Sequence, residues 1–341
     1  MRPINVLIVD DSTFMINSVT RILRDAPNIK ICGSATNGFD AINFIKSNEV
    51  DVVIMDIEMP KLDGVETTKI IMKENPKPII LLTAADRKNS KTISALISGA
   101  IDFIQKPGGA SLTVDISEIK ETLVKKIQQA IISNVTKKTA AKKNYENFGK
   151  EISKYYDLIL IGVSTGGPGT LIKILQVLPS DFEPPIMIVQ HIMEGYTADL
   201  ADTLNKNSAV PVTEVNGFTE IEKTNIYLAK AGFHLEFCSD GKTIKLTKNP
   251  PVKGFRPSVD VMFSSAAERF PGRILGVILT GMGDDGVDGC KKLFEKKHSV
   301  ICQDEETSIV YGMPRAAYEA GYSTAVYPLN AIASTISKIK I

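Results

Sequence analysis

The chain has 341 residues, about twice the usual domain length of ~150, which predicts two domains that each bury a core of their own. Apolar residues make up 43% and charged residues 23% of the sequence, values that exclude a disordered or fibrous protein. The formal net charge of +1 gives no general attraction to nucleic acid. No apolar run of the sequence approaches the ~18 residues of a membrane span, and the first residues lack the apolar stretch of a signal peptide. We therefore expect a cytoplasmic protein without membrane insertion.

In the N-terminal part, short β-branched runs alternate with amphipathic segments of helical length. The expected strands are Ile4–Val9, Lys30–Ala35, Asp51–Met55, Pro78–Thr83 and Ile101–Gln105. This alternation predicts a parallel sheet with crossover helices, that is, a doubly wound (βα)5 domain. The near-continuous apolarity of Val6–Val9 and Val52–Met55 is typical of strands that are buried on both faces.

Five polar residues directly follow these strands. Asp10 and Asp11 follow the first strand, Asp56 the third, Thr83 the fourth and Lys106 the fifth. The carboxyl ends of parallel strands meet at one edge of a doubly wound sheet, so we expect these side chains to converge. Any one of the aspartates could be only a turn former or a helix cap, but the five residues together favour a site.

The chemistry of this set indicates phosphoryl transfer. Carboxylates that lie close together repel one another unless a hard cation such as Mg²⁺ binds among them, which makes Asp10, Asp11 and Asp56 the candidate metal ligands. Asp56 would accept the phosphoryl group. Lys106 would offset the charge of the phosphoryl oxygens, and Thr83 would form a hydrogen bond with them.

The same residues lie in motifs that resemble the response-regulator receiver family. The motifs are Val9-Asp10-Asp11-Ser12, Met55–Gly64, Leu82-Thr83-Ala84 and Lys106-Pro107. The resemblance covers residues 1–122 and implies that a histidine kinase donates the phosphoryl group. It also implies that the backbone carbonyl of Glu58 helps to hold Mg²⁺. Residues 123–154 are expected to form a helical end and a basic linker, with the most polar stretch at Thr136–Asn144.

A second alternation of strands and helices begins at Tyr156. Its expected strands are Leu158–Val163, Ile186–Gln190, Asn225–Leu228, Ile274–Thr280 and Ser299–Cys302. Between the third and fourth strands, Leu235–Cys238 and Thr243–Leu246 flank the turn residues Asp240-Gly241, which predicts a β-hairpin. Residues 155–341 are therefore expected to form a Rossmann-like α/β domain with a mostly parallel sheet and a β-hairpin excursion.

A glycine-rich turn in this second domain carries a candidate nucleophile. Gly162-Val163-Ser164-Thr165-Gly166 fits the Gly-x-Ser-x-Gly pattern, in which a sharp turn between strand and helix exposes the serine beside backbone amide donors. A nucleotide phosphate loop is the competing interpretation. It is disfavoured because Pro168 stands where a P-loop needs lysine and because the Rossmann glycine spacing is only partly met.

A serine nucleophile needs a base and an orienting carboxylate. Of the three histidines, His191 follows a strand and should emerge at the sheet edge of Ser164, whereas His234 and His298 lack that placement. The carboxylate should come from the turn after the fourth strand, where on chemistry alone either Asp284 or Asp285 could serve. The order Ser-His-Asp differs from that of α/β-hydrolases, so the serine motif does not imply that fold.

The second domain resembles the chemotaxis protein-glutamate methylesterase (CheB) family. The motifs that carry this resemblance are Gly162–Gly167, Gln190-His191, Phe255–Asp260 and Leu279–Gly286. The resemblance implies that Asp285 completes the triad with Ser164 and His191. It further implies that Thr165 supports His191 and that the Met282 backbone contributes to the oxyanion hole.

The resemblance also implies a function in chemotactic adaptation. The expected reaction is hydrolysis of glutamate γ-methyl esters on methyl-accepting chemoreceptors with release of methanol, together with deamidation of receptor glutamines. The hydrolytic site is expected to need no cofactor, whereas phosphorylation of the receiver is expected to need Mg²⁺. We expect an unphosphorylated receiver to obstruct the Ser164 face and phosphorylation of Asp56 to favour its release.

Two other classes of function fit the sequence less well. A transcriptional regulator would bind DNA through residues 155–341, but the neutral charge and the absence of a helix-turn-helix pattern count against it. A binding module with an inactive hydrolase fold would lack a triad member, and all three are present. For Arg256 and the Phe255–Asp260 stretch, substrate contact and simple packing remain equally open.

Overall fold

The structure, a computed structural model, describes residues 2–84, 90–106, 116–133 and 152–341. The chain divides into two compact units, one up to Lys138 and one from Thr139. The predicted linker Thr136–Asn144 lies outside the described residues. The domain boundaries at residues 122 and 154 remain predictions.

The N-terminal unit is a doubly wound α/β domain, as predicted. Its elements are β1 (Ile4–Val9), α1 (Thr13–Leu23), β2 (Ile29–Ala35), α2 (Gly38–Ser47), β3 (Val52–Asp56), α3 (Gly64–Glu74), β4 (Ile79–Thr83), α4 (Ser90–Ile97), β5 (Asp102–Gln105) and α5 (Ile116–Ile132). All five predicted strands are confirmed, with ends that differ by at most one residue. They form a parallel sheet in the order β2-β1-β3-β4-β5.

The chain winds outward in opposite directions from β1 and β3, which are neighbours in this sheet. Val6–Val9 of β1 and Val52–Met55 of β3 are buried, as the near-continuous apolarity of these residues predicts. Their carboxyl ends therefore form the crevice at which doubly wound sheets bind ligands. Asp10 and Asp56 stand at this crevice.

The C-terminal unit contains a second parallel sheet. Its elements are β6 (Leu158–Val163), α6 (Gly167–Leu175), β7 (Ile186–Gln190), α7 (Thr197–Lys206), β8 (Val212–Glu214), β9 (Phe218–Glu220), β10 (Ile226–Leu228), β11 (His234–Phe237), β12 (Thr243–Thr247), α8 (Val259–Arg269), β13 (Ile274–Ile278), α9 (Val287–Glu295), β14 (Ser299–Gln303), α10 (Met313–Glu319), β15 (Ala325–Tyr327) and α11 (Leu329–Ile336). Seven strands pair in parallel in the order β15-β14-β13-β6-β7-β10-β8. The neighbours β6 and β13 mark the point at which the strand order reverses.

The predicted hairpin is confirmed and is part of a small antiparallel sheet. Strands β11 and β12 pair around a turn in which Gly241 has a φ of 65°, the positive value that the turn requires. Strand β9 adds to the free edge of β12. Three strands, β8, β9 and β15, were not predicted, because runs of three residues carry too little alternation to be recognised.

Helix α8 joins the two sheets of this unit. It packs against β11 on one side and against β6 and α9 on the other, and buries Met262 and Phe263 completely. Because Ser258 caps its first turn, packing of the core also fixes the position of the residues that precede the helix. In the part of the chain that the structure describes, no helix is both long and apolar enough to cross a membrane.

Candidate active site

The candidate nucleophile and base lie on neighbouring strands of the seven-stranded sheet. Val163 at the end of β6 pairs with Gln190 at the end of β7, so Ser164 and His191 are the next residues along two adjacent parallel strands. The turn after β13 approaches from the other side, where the Ser164 N–H donates to the Thr280 carbonyl at 3.0 Å. The residues predicted to carry the chemistry thus meet at the switch point of the sheet.

The glycines around Ser164 permit a turn that other residues would block. Gly166 has a φ of 76°, a left-handed conformation that glycine adopts without a steric penalty, and α6 starts at the next residue. A side chain at Gly167 would collide with Gln190. The Gly167 N–H instead donates to the Ser164 carbonyl at 2.9 Å, which closes the turn. Ser164 is consequently held at the start of a helix, as the Gly-x-Ser-x-Gly pattern predicts.

His191 and Asp285 form a buried hydrogen-bonded pair. The His191 Nε2 atom lies 2.8 Å from Asp285 Oδ2. Because an ionised carboxylate can only accept, Nε2 carries the proton of this bond and Nδ1 is left as the basic nitrogen of the ring. Among the described residues nothing hydrogen-bonds to the buried Nδ1 atom. The imidazole is therefore oriented by one nitrogen and available for proton transfer at the other.

Asp285 is surrounded by donors from the start of α8. Oδ1 accepts from the Ser258 hydroxyl at 2.7 Å and from the Asp260 N–H at 3.1 Å, and Oδ2 also accepts from the Val259 N–H at 2.7 Å. Burial alone would raise the pKa of Asp285, but the hydrogen bonds from His191, Ser258 and Val259 outweigh it and lower the pKa. Asp285 is therefore a carboxylate at neutral pH.

Chemistry alone left open whether Asp284 or Asp285 is the orienting carboxylate. The structure places the two side chains in different surroundings. Only Asp285 contacts His191, whereas the side chain of Asp284 is 65% exposed and lies 3.8 Å from Lys253. This placement agrees with the prediction from the family resemblance. The catalytic role of Asp285 remains a prediction that needs a kinetic test.

The Phe255 ring lies flat against His191. The ring centroids are 3.9 Å apart and the planes differ by 5°. The loop that carries Phe255 is anchored by Lys253, whose ammonium lies 2.9 Å from both Asp260 and Asp288. Of the Phe255–Asp260 stretch, Phe255 therefore packs on the candidate base, and substrate contact by this stretch stays a prediction. A flat ring contact restricts rotation of the imidazole.

Gln190 entered the sequence analysis only as part of the Gln190-His191 motif, and its contribution to the site was missed. Its side-chain amide donates to the carbonyls of Ser164 and His191, at 2.9 Å in each case, and is almost fully buried. It therefore ties the turn of the nucleophile to the turn of the base. Its position next to His191, at the end of a buried strand, was the available signal, because a polar residue there needs a buried partner.

The two predicted supporting residues lie next to this site. A side chain at Gly281 would approach the Ser164 Cβ atom to 2.7 Å, so the backbone of Gly281 and Met282 passes directly beside the serine. The Met282 N–H has no hydrogen-bond acceptor within the described residues. The Thr165 carbonyl accepts from the Thr280 hydroxyl at 3.0 Å, but within the same residues Thr165 makes no hydrogen bond to His191. Both roles remain predictions.

The predicted phosphate site lies in the N-terminal unit. The Lys106 ammonium is 2.9 Å from Asp10 and 2.8 Å from Asp56, and each of Asp10, Asp11 and Asp56 can present an oxygen within 4.8 Å of the others. Oxygen ligands at this separation suit Mg²⁺. Burial of Asp56 raises its pKa, although Lys106 works in the opposite direction. A cation placed here would therefore offset a desolvated carboxylate.

A cavity of about 350 Å³ opens beside this cluster. It is lined by Asp11, Asp56, Ile57, Glu58, Thr83, Ala84, Lys91, Thr92 and Lys106. The Thr83 and Thr92 hydroxyls are 3.4 Å apart, which connects the end of β4 to α4. The structure therefore brings all five predicted residues of the N-terminal site to one sheet edge.

Comparison with known families supports both halves of this arrangement. Residues 159–336 match the model of the CheB methylesterase family, and residues 6–117 match that of the response regulator receiver domain. The crystal structure of the Thermotoga maritima CheB methylesterase catalytic domain is similar with a TM-score of 0.52. The two sequences are 37% identical. The match covers 53% of this chain and 97% of the Thermotoga chain.

Other relatives match over nearly the whole length of the chain. A protein-glutamate methylesterase/protein-glutamine glutaminase from Geobacillus kaustophilus is 36% identical over 347 residues, which cover 99% of each chain. A protein of the same name from Pyrococcus horikoshii is 36% identical over 99% of this chain and 94% of its own length. The chain therefore belongs to the CheB methylesterase family, with a response regulator receiver domain ahead of its methylesterase domain.

Proposed function

We propose that the protein is a phosphorylation-activated protein-glutamate methylesterase that also acts as a protein-glutamine glutaminase. Its substrates would be glutamate γ-methyl esters and particular glutamines on the cytoplasmic helices of methyl-accepting chemoreceptors, so we place it in the cytoplasm. The observation that carries this proposal is the buried pair of His191 and Asp285, which leaves Nδ1 without a hydrogen-bond partner among the described residues, on the strand next to that of Ser164.

The proposed reaction begins with attack of the Ser164 hydroxyl oxygen on the ester carbonyl carbon. Nδ1 of His191 takes the hydroxyl proton, and Asp285 stabilises the imidazolium through the Nε2–H bond. Collapse of the tetrahedral intermediate breaks the carbon–oxygen bond to the methoxy group, which leaves as methanol with the proton from His191. Water then attacks the acyl-enzyme by the same route and releases glutamate.

The oxyanion of the intermediate needs donors that are already in place. We assign this role to the Met282 N–H, because its backbone passes beside Ser164 and the amide has no acceptor in the described part of the chain. The start of α6 adds its helix dipole on the other side. A glutamine amide passes through the same type of intermediate and releases ammonia in place of methanol. No step of this mechanism needs a metal.

The receiver domain would control this activity. We propose that a chemotaxis histidine kinase phosphorylates Asp56 and that Asp10, Asp11 and Asp56 hold Mg²⁺, whose charge would offset that of the phosphoryl oxygens. Lys106 is already paired with two of these carboxylates and can turn to the phosphoryl group. Thr83 can report the phosphate to α4 through Thr92.

The test is methanol release from methylated receptor membranes, with and without a small phosphodonor and Mg²⁺. We expect release by the wild type to rise with the phosphodonor. Release should be abolished in Ser164→Ala, which should still be phosphorylated on Asp56. Asp56→Asn serves as the matched control, because it should keep the unstimulated rate and lose the stimulation. Methanol release by Ser164→Ala would refute the assignment of the nucleophile.

A further inference from the structure

A second histidine of the catalytic unit is buried and has a defined protonation state. His234, the first residue of β11, is fully buried. Its Nδ1 accepts from the Ser258 N–H at 3.2 Å, and its Nε2 faces the Pro250 carbonyl at 3.1 Å. An N–H can only donate and a carbonyl can only accept, so the ring is neutral and its proton is on Nε2.

Ser258 connects this histidine to the candidate triad. The serine is fully buried, and its hydroxyl donates to Asp285 Oδ1 at 2.7 Å. The Ser258 hydroxyl oxygen also accepts from the Val261 N–H at 3.4 Å and so caps α8. His234 therefore holds the backbone of the residue whose side chain holds Asp285.

The hydrogen bonds form a continuous chain from β11 to the base. It runs from His234 to Ser258, then to Asp285, and ends at Nε2 of His191. The next two residues of the chain, Val259 and Asp260, donate their N–H groups to the same carboxylate. A shift of the Ser258 backbone would thus move three of the four donors around Asp285 together.

We propose that His234 is a positioning residue for the triad. By fixing the Ser258 N–H, it sets the start of α8 around Asp285 and through Asp285 the orientation of the His191 imidazole. This inference rests on the proposed function of the Ser164 site. Displacement of a catalytic group by about 1 Å costs on the order of 100-fold in rate, so a defect in this chain of contacts should be visible in kcat.

Two conservative variants separate the two bonds of His234. In His234→Asn, the side-chain oxygen can take the place of Nδ1 and keep the bond to Ser258, while the contact with Pro250 is lost. In His234→Gln, the terminal amide can reach Pro250, but no acceptor remains at the position of Nδ1. Both variants place a polar amide in the same buried site, which makes them controls for each other.

A third variant controls for loss of a histidine acceptor as such. His298 Nδ1 accepts from the Ile274 N–H at 3.3 Å, the same kind of bond at the opposite end of the sheet from the triad. His298→Gln removes this acceptor and leaves the contacts of Asp285 intact. We expect it to keep the activity of the wild type.

The experiment measures kcat and KM for methanol release by the phosphodonor-treated full-length chain, together with the low-field proton NMR signal of the His191 Nε2–H. In His234→Gln we expect kcat to fall roughly tenfold to 100-fold with KM within about twofold, and the low-field signal to shift or broaden. His234→Asn should retain kcat within about threefold and keep the signal, because its side-chain oxygen still provides an acceptor for the Ser258 N–H.

The opposite pattern would overturn the inference. If His234→Gln keeps the kcat and the NMR signal of the wild type, or if His234→Asn is the more damaged of the two, His234 has only a structural role. The NMR signal needs no substrate. If the wild type releases no methanol, the proposed function fails, and the low-field signal of the two variants still decides whether His234 positions the pair of Asp285 and His191.

Discussion

Replacement of Asp285 by asparagine is the sharpest test of the candidate triad. The carboxylate accepts four hydrogen bonds, two on each oxygen. Each oxygen has one backbone donor: the Val259 N–H donates to Oδ2, and the Asp260 N–H donates to Oδ1. In Asp285→Asn, one oxygen becomes an NH₂ group, so in either orientation of the amide an N–H faces another N–H.

The structure gives limits for the loss of activity. If the asparagine oxygen stays toward His191, the imidazole keeps its tautomer and only the charge-assisted part of the bond is lost, about 1.5 kcal/mol or roughly tenfold in kcat. If the NH₂ group faces His191, the tautomer is wrong, a defect that costs about 10⁴-fold in serine-protease triads. We therefore expect kcat to fall between about tenfold and 10⁴-fold. The buried N–H that loses its acceptor should also destabilise the fold by about 1–3 kcal/mol.

The neighbouring residue offers a matched control in the same turn. The Asp284 side chain is 65% exposed and lies 3.8 Å from Lys253, so Asp284→Asn removes the same charge one residue away. An exposed ion pair contributes about 1 kcal/mol at most, and we expect this variant to keep its kcat within about twofold. Methanol release and thermal unfolding of both variants are the measurements. Equal loss of activity in the two variants would refute the argument that Asp285 acts through His191.

Two further predictions concern the ring stacked on the base and the buried phosphoacceptor. Phe255→Leu should lower kcat about tenfold with little change in KM, because it removes the flat contact that restricts the His191 ring; a larger effect on KM would indicate substrate contact instead. Burial raises the pKa of Asp56 above its ordinary 3.8. The contribution of Asp56 to the free energy of unfolding is therefore present below pH 3.8 and is lost as the pH rises through the pKa of the folded state. Asp56→Asn should therefore raise the unfolding temperature of the receiver at pH 7, measured by calorimetry with EDTA, but not below pH 3.8. No gain at pH 7 would contradict the proposed desolvation.

Much of this arrangement could be predicted from the sequence because it depends on strand ends. A buried strand is recognisable from its unbroken apolarity, and in a parallel sheet the residue that follows it must lie at the carboxyl edge. That rule alone predicts that Asp56 and Lys106 lie at the same sheet edge. It predicts the same for Ser164 and His191. Their convergence follows from topology, so it needs no knowledge of individual side-chain contacts.

The remaining contacts could not be predicted because they depend on side-chain direction within loops and caps. Asp284 and Asp285 are adjacent and chemically identical, so their chemistry could not show which one enters the core; the family resemblance alone pointed to Asp285, which the fold places against His191. His234 was set aside because it follows no strand of the main sheet, yet the antiparallel sheet brings it to Ser258. Spacing along the chain contains no information on a contact between a strand and the residue that caps a distant helix.

The position of Asp285 links catalysis to the stability of the domain. Asp285 caps α8 through the Val259 and Asp260 N–H groups, and Asp260 in turn accepts from the Gly286 and Gly289 N–H groups at the start of α9. Asp285, which precedes α9, thus accepts hydrogen bonds at the start of α8, and Asp260, in the first turn of α8, accepts them at the start of α9. A carboxylate at the start of a helix interacts favourably with the helix dipole. The acid of the triad cannot shift without moving both helices. The same contacts that stabilise the pair of helices therefore also keep the orienting carboxylate in one place.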